Sequence, residues 1–193
     1  MTLTWETNIG IYCSRIRGRL FTILNPIVQP GSTIARVPVC GGTLLNLDIV
    51  FRDGSMLKVG ETLVKDRDRV TLLKYTYEYR RPSGFFFSYD MEREPESTSK
   101  AESETQRRAT QLKKPLCHLH VGAEKGIEDL LEDFPAELRE HDGPHYETYP
   151  VCLDYILAVI IVNYFPEQRD VFERLNLADF VARQVESEHM GSN

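Results

Sequence analysis

The chain has 193 residues, 41% of them hydrophobic and 27% charged, with a formal charge of −6. That length fits one domain, or one with an appendage, and buries enough surface to need no disulfide or metal staple. The acidic balance argues against a general polyanion binder, because phosphate contacts need Lys and Arg.

The first 40 residues mix apolar and basic residues up to Pro26, Pro30 and Gly31 and form a poorly read N-terminal segment. IARVPVC, residues 34–40, is extended, since Pro38 disfavours helix at the residue before it. From residue 41 onward the pattern predicts a single α+β domain. In TLLNLDIVFRDGSMLKVGETLVKD, Leu45, Leu47, Ile49 and Phe51 alternate with polar residues up to Asp53-Gly54-Ser55. Gly54 tolerates the positive φ of a hairpin turn, and Leu57, Val59 and Leu63 return on one side. A charged turn at residues 65–68 leads into a third strand, with Leu73, Tyr75, Tyr77 and Tyr79 on one face and Lys74, Thr76, Glu78 and Arg80 on the other. Pro82-Ser83-Gly84 turns the chain, and Phe85, Phe87 and Tyr89 come back on one face. Alternation alone accounts for these aromatic stripes as the core face of a sheet rather than a base-stacking platform.

Residues 91–114 carry both charge signs and almost no apolar side chains. Such a segment cannot bury enough surface to offset its ordering entropy, so it reads as a mobile charged insertion between strands. KPLCHLHVGA follows, a strand with His118 and His120 on one face and Cys117, Leu119 and Val121 on the other. IEDLLEDF, residues 127–134, has helical spacing. Residues 151–165 are apolar nearly all round and predict a buried helix that Pro166 ends. Residues 168–186 form a last amphipathic helix through Val171, Leu175, Ala178, Val181 and Val185. There is no internal repeat. Strands first and helices last give an α+β fold: an antiparallel sheet of about five strands with C-terminal helices packed on one face.

Cys13, Cys40, Cys117 and Cys152 form no C-x-x-C pair and read as buried free thiols. No charged-then-apolar start marks a signal peptide, and the longest apolar run, residues 155–165, is too short to span a bilayer. The expectation is a soluble, cytoplasmic protein.

Four residues are candidates for chemistry. His118 and His120 can act as a pair, because neutral and protonated imidazole coexist near pH 7, which suits one base and one acid in phosphodiester cleavage. They could also hold a metal if a third ligand came from elsewhere, such as His145 or Asp90; otherwise they are two surface-facing strand histidines. The guanidinium of Arg80 suits a phosphate or an oxyanion, or simply a salt bridge in the sheet. Asp90 can orient a histidine or start a turn. The sequence assigns no cofactor and no metal site. His141 and His189 have no context that raises them.

The segment 46–165 resembles the TumE family of proteins encoded in toxin–antitoxin pairs. The likeness lies in the order of DIVFRDGSMLKVGE, YTYEYRRPSGFFFSYD, CHLHVG and PVCLDYILAVII. Family members often carry His where this chain has Glu78, Arg where it has Ser88, and Asn with a His cluster from Met91 onward, so fewer groups that titrate near pH 7 survive here. The resemblance implies a growth-inhibiting toxin paired with an antitoxin protein bearing a helix-turn-helix. Joined to the paired histidines, it suggests RNA as substrate. The alternative is a non-catalytic protein-interaction module, using a sheet edge or the C-terminal helix.

Overall fold

A computed structural model of the protein describes residues 3–39, 42–67, 69–91, 115–123 and 146–175. The fold is α+β. Its sheet has eight strands, more than the five or so expected. The extra strands are β1 (Leu3–Glu6) and β2 (Thr33–Val39), from the N-terminal segment, and the two-residue β8 (Tyr146–Glu147). Between them run β3 (Gly42–Val50), β4 (Met56–Asp66), β5 (Arg69–Arg80), β6 (Phe85–Met91) and β7 (Cys117–Ala123). Strands β2 to β8 pair in chain order as an antiparallel meander, while β1 pairs the start of β5, in the lane that β6 fills further along.

The turns follow from their residues. Gly54 adopts φ 84° and Gly84 φ 81°. Asp53 Oδ1 accepts from the Ser55 backbone N–H at 2.9 Å and from its hydroxyl at 2.5 Å, closing the β3–β4 hairpin. One face of the sheet is the core: Leu45, Leu47, Ile49, Leu57, Val59, Tyr75, Tyr77 and Tyr79 are all at most 3% exposed. On that face Cys117 is buried, and Leu119 and Val121 are partly buried against the core. Cys13, Cys117 and Cys152 are buried free thiols, and Cys40 lies outside the described residues.

Leu73 departs from its expected place. The ladder between β4 and β5 slips at Thr62/Leu63, so Leu63 faces Leu72 rather than Leu73. A bulge inserts one residue and flips the alternation beyond it. Leu72 is therefore buried and Leu73 is 42% exposed.

Three helices and two short helical turns complete the described fold. Helix α1 (Ile9–Gly18) is capped by Asn8, whose side chain accepts from Ile11 N at 2.9 Å. It runs into a π-helical turn, Arg19–Ile23. Tyr12, Cys13, Ile16 and Leu20 are buried in the core, so the N-terminal segment is part of the same packed unit. Helix α2 (Leu153–Tyr164) buries Ile156, Leu157, Ile160 and Ile161 against the core face, but it is not covered all round, because Val162 is 55% exposed. Tyr164 stacks on Tyr79 at 5.1 Å, and Tyr75 OH accepts from Val151 N at 3.1 Å, seating the helix on β5. Arg19 and Asp154 form an ion pair that ties the N-terminal helical segment to the start of α2. After a 3-10 turn at Pro166–Gln168, α3 (Arg169–Arg174) buries Val171.

The expected insertion beyond Met91, the helix at 127–134, His141, His145, His189 and the last helix past Leu175 lie outside the described residues. Among the described residues no helix is long and apolar enough to cross a membrane.

Candidate functional site

The side of the sheet away from the core has two characters. Over β3 and β4 it is open, with Asn46, Asp48 and Lys58 exposed; over β6 and β7 it is covered, with Phe86, Ser88, His118 and His120 buried. The covered part follows from strand register. Period two puts Glu78 and Arg80 of β5, Ser88 and Asp90 of β6, and His118 and His120 of β7 on this one face. Pairing then aligns them in rungs: Thr76, Asp90 and His118 in one; Glu78, Ser88 and His120 in the next; Arg80, Phe86 and Gly122 in the third.

Asp90 and the two histidines converge. The imidazole rings meet edge to face with centroids 4.8 Å apart. His120 Nε2 lies 3.7 Å from Asp90 Oδ2. The Ser88 hydroxyl donates to that same oxygen at 2.7 Å. His118 Nδ1 lies 2.8 Å from the Pro115 carbonyl oxygen. A carbonyl only accepts, so Nδ1 carries a proton and the lone pair of a neutral His118 sits on Nε2. One ligand-capable atom from each of Asp90, His118 and His120 falls within 4.8 Å of the others.

The expected surface-facing placement of the histidines is corrected in one respect. They do share a face opposite Cys117 and Leu119, but they are 1% and 6% exposed. Burial of a polar side chain is offset by hydrogen bonding, which the Pro115 carbonyl supplies to His118 at 2.8 Å, while Asp90 lies 3.7 Å from His120 as a charge partner.

Arg80 is a rung and two strands away from His120, roughly 12 Å between Cα atoms on standard sheet spacings. Its Nε reaches Glu78 Oε1 at 2.7 Å, and its guanidinium carbon lies 5.3 Å from the centre of the Phe86 ring. It belongs to the sheet's ion pairing rather than to the tight Asp–His–His cluster. Asp90 is central to that cluster, and Ser88 is a member that the sequence did not nominate. The signal for Ser88 was its position two residues before Asp90, on the same strand face.

No protein-family model, curated protein or solved structure matches the chain.

A second polar group lies on the opposite, apolar side. Glu61 is fully buried and accepts hydrogen bonds from Tyr77 at 2.7 Å and from Tyr12 at 2.9 Å. Burial raises its carboxyl to about 7, against the opposing pull of the two tyrosine hydrogen bonds. Both tyrosines are pushed well above their usual range, first by burial and then by the Glu61 charge. The sequence carried this signal unread: Glu61 falls between Val59 and Leu63 in the inward alternation of β4.

Proposed function

We propose that the chain is a toxin-like component of a toxin–antitoxin or defence locus, working in the cytoplasm on RNA through a centre formed by Asp90, His118 and His120. The observation that supports it is the convergence of these three side chains from β6 and β7. Those strands hold two of the motifs that resemble the TumE family, FFFSYD and CHLHVG. Glu78 and Ser88, where the chain departs from that family, fall on the rung of His120. As bare imidazoles the pair divides the work of base and acid in phosphodiester cleavage, with Asp90 orienting His120. Both imidazoles are buried, so a phosphodiester meets them only in a conformation that uncovers this face. The partner in this reading is an antitoxin with a helix-turn-helix.

The same burial favours a second reading, a protein-interaction module in which the histidines hold β6 and β7 together and catalyse nothing. Induced expression in a bacterial host separates the two. Under the first reading the wild type stops growth and a His118→Ala/His120→Ala double variant, present at equal level and folded, does not. Full toxicity of that folded variant contradicts the first reading and leaves the second.

A further inference from the structure

We infer that Asp90, His118 and His120 form a binding site for one divalent transition-metal ion of the zinc class. The inference deepens the proposed centre by naming its cofactor, and it rests on that centre's geometry rather than on toxicity.

Three observations carry it. The first is the donor set. Two imidazoles and one carboxylate suit zinc and its first-row neighbours, whereas magnesium and calcium prefer oxygen donors. The second is spacing. Bonds of about 2.0–2.1 Å in a tetrahedron separate ligand atoms by about 3.3–3.4 Å. His120 Nε2 and Asp90 Oδ2 stand at 3.7 Å, a few tenths of an ångström wider, and a ligand-capable atom of His118 completes the triangle within 4.8 Å. The separations exceed those around a bound ion by a few tenths of an ångström for the His120–Asp90 pair and by no more than about 1.4 Å for the others, so binding an ion draws the three side chains inward. The third is the support behind the ligands. A metal-binding histidine typically donates its other ring N–H to a backbone carbonyl, which fixes the tautomer and turns the lone pair to the metal. His118 does this through Nδ1 and the Pro115 carbonyl at 2.8 Å. A ligating carboxylate is likewise held by a hydrogen bond, and Ser88 supplies one to Asp90 at 2.7 Å. Asp90 Oδ2 can accept from Ser88 and still bind a cation, because a carboxylate oxygen has two lone pairs.

The geometry gives the site a consistent chemistry. Three protein ligands leave a fourth tetrahedral position for water or substrate. An ion held there would engage both imidazoles as ligands and would supply Lewis acidity at the open position. An ion pair between Asp90 and a protonated His120 is the competing account of the 3.7 Å contact. It predicts no affinity for metal.

The test uses the full-length chain, stripped by chelator and titrated with Co2+ as a spectroscopic probe, then with Zn2+ in competition and Mg2+ as control. The expected result is one equivalent of Co2+ with a visible ligand-field band, displaced by Zn2+ and untouched by Mg2+. Asp90→Asn and His120→Gln should each weaken binding more than tenfold, and Ser88→Ala by about tenfold, the scale of lost support behind a ligand. Nitrogen-resolved NMR of the histidine rings in the wild type needs no variant to fold. Zn2+ should move the Nε2 signals of both His118 and His120 while His118 Nδ1 keeps its proton. Absence of a saturable equivalent overturns the inference. So does equal affinity in folded Asp90→Asn and His120→Gln, or binding that leaves both ring signals unmoved. Toxicity that needs the histidines, with no metal bound, would overturn this inference and leave the functional reading in place.

Discussion

Ser88 donates its hydroxyl proton to Asp90 Oδ2 at 2.7 Å, and the same oxygen lies 3.7 Å from His120 Nε2. One small side chain thus sets the carboxylate on which the centre turns. Ser88 is buried, and a hydrogen bond to a charged group contributes roughly 1.5–3 kcal/mol. Ser88→Ala should lower unfolding free energy by an amount near that range in urea titration. It should also loosen Asp90, seen as a second rotamer in a crystal structure of the variant. An unchanged urea midpoint would mean that the hydroxyl does not hold the carboxylate in solution.

Glu61 should make stability depend on pH. Its carboxyl sits near 7 in the fold, above the unfolded value of about 4.3. The group is neutral in both states below the unfolded value, so its full stabilising contribution is present there. As pH rises from about 4.3 to about 7 the unfolded chain ionises first, and about 4 kcal/mol of stability is lost. Above that the contribution is flat. Glu61→Gln keeps an amide among Tyr12 and Tyr77 and should remove most of this slope. Urea midpoints for wild type and variant at pH 5 and pH 7.5 check it.

Helix α2 offers a comparison within one element. Leu157 is 1% exposed and Val162 is 55% exposed. Leu157→Ala should cost about 2–5 kcal/mol, as for other buried leucines. Val162→Ala should change stability by less than about 0.5 kcal/mol. Equal, small effects in denaturant unfolding would mean that α2 is not seated on the sheet.

Two glycines should respond oppositely. A Cβ at Gly42 would run into the Leu63 carbonyl, backbone that cannot swing away. At Gly60 the nearest atom is Asn46 Oδ1 at 3.8 Å, an ordinary contact. Gly42→Ala should lower the melting midpoint by several degrees, on the order of 1–3 kcal/mol for forced overpacking. Gly60→Ala should leave it unchanged or raise it, since alanine restricts the unfolded chain. A differential scan of both variants reads the contrast.

The residues that were legible and those that were not separate along physical lines. The hairpin through Asp53-Gly54-Ser55, the tyrosine face of β5 and helix α2 were readable because each is fixed by local alternation, turn chemistry or an apolar run. Leu73 was misplaced because a bulge is set by the partner strand, and β4 alone does not reveal the slip at Thr62/Leu63. Glu61 was passed over although its parity marked it as inward. Helix α1 escaped because its buried stripe of Tyr12, Ile16 and Leu20 is mixed in sequence with exposed Ile11, Arg15 and Arg17 and is evident only against the sheet. The shared face of His118 and His120 was legible from period two. Their register with Asp90 was not, because β6 and β7 are separated by residues 92–116 and pairing across such a gap is decided by tertiary packing.

The proposed joint action of Asp90, His118 and His120 on RNA is read from RNA ends mapped in induced cells. Cells expressing the wild type should accumulate new internal RNA ends as growth stops. Cells expressing a folded Asp90→Asn variant at the same level should keep growing and show none. Growth arrest with the RNA ends unchanged, or the same new ends from the Asp90→Asn variant, would contradict the account.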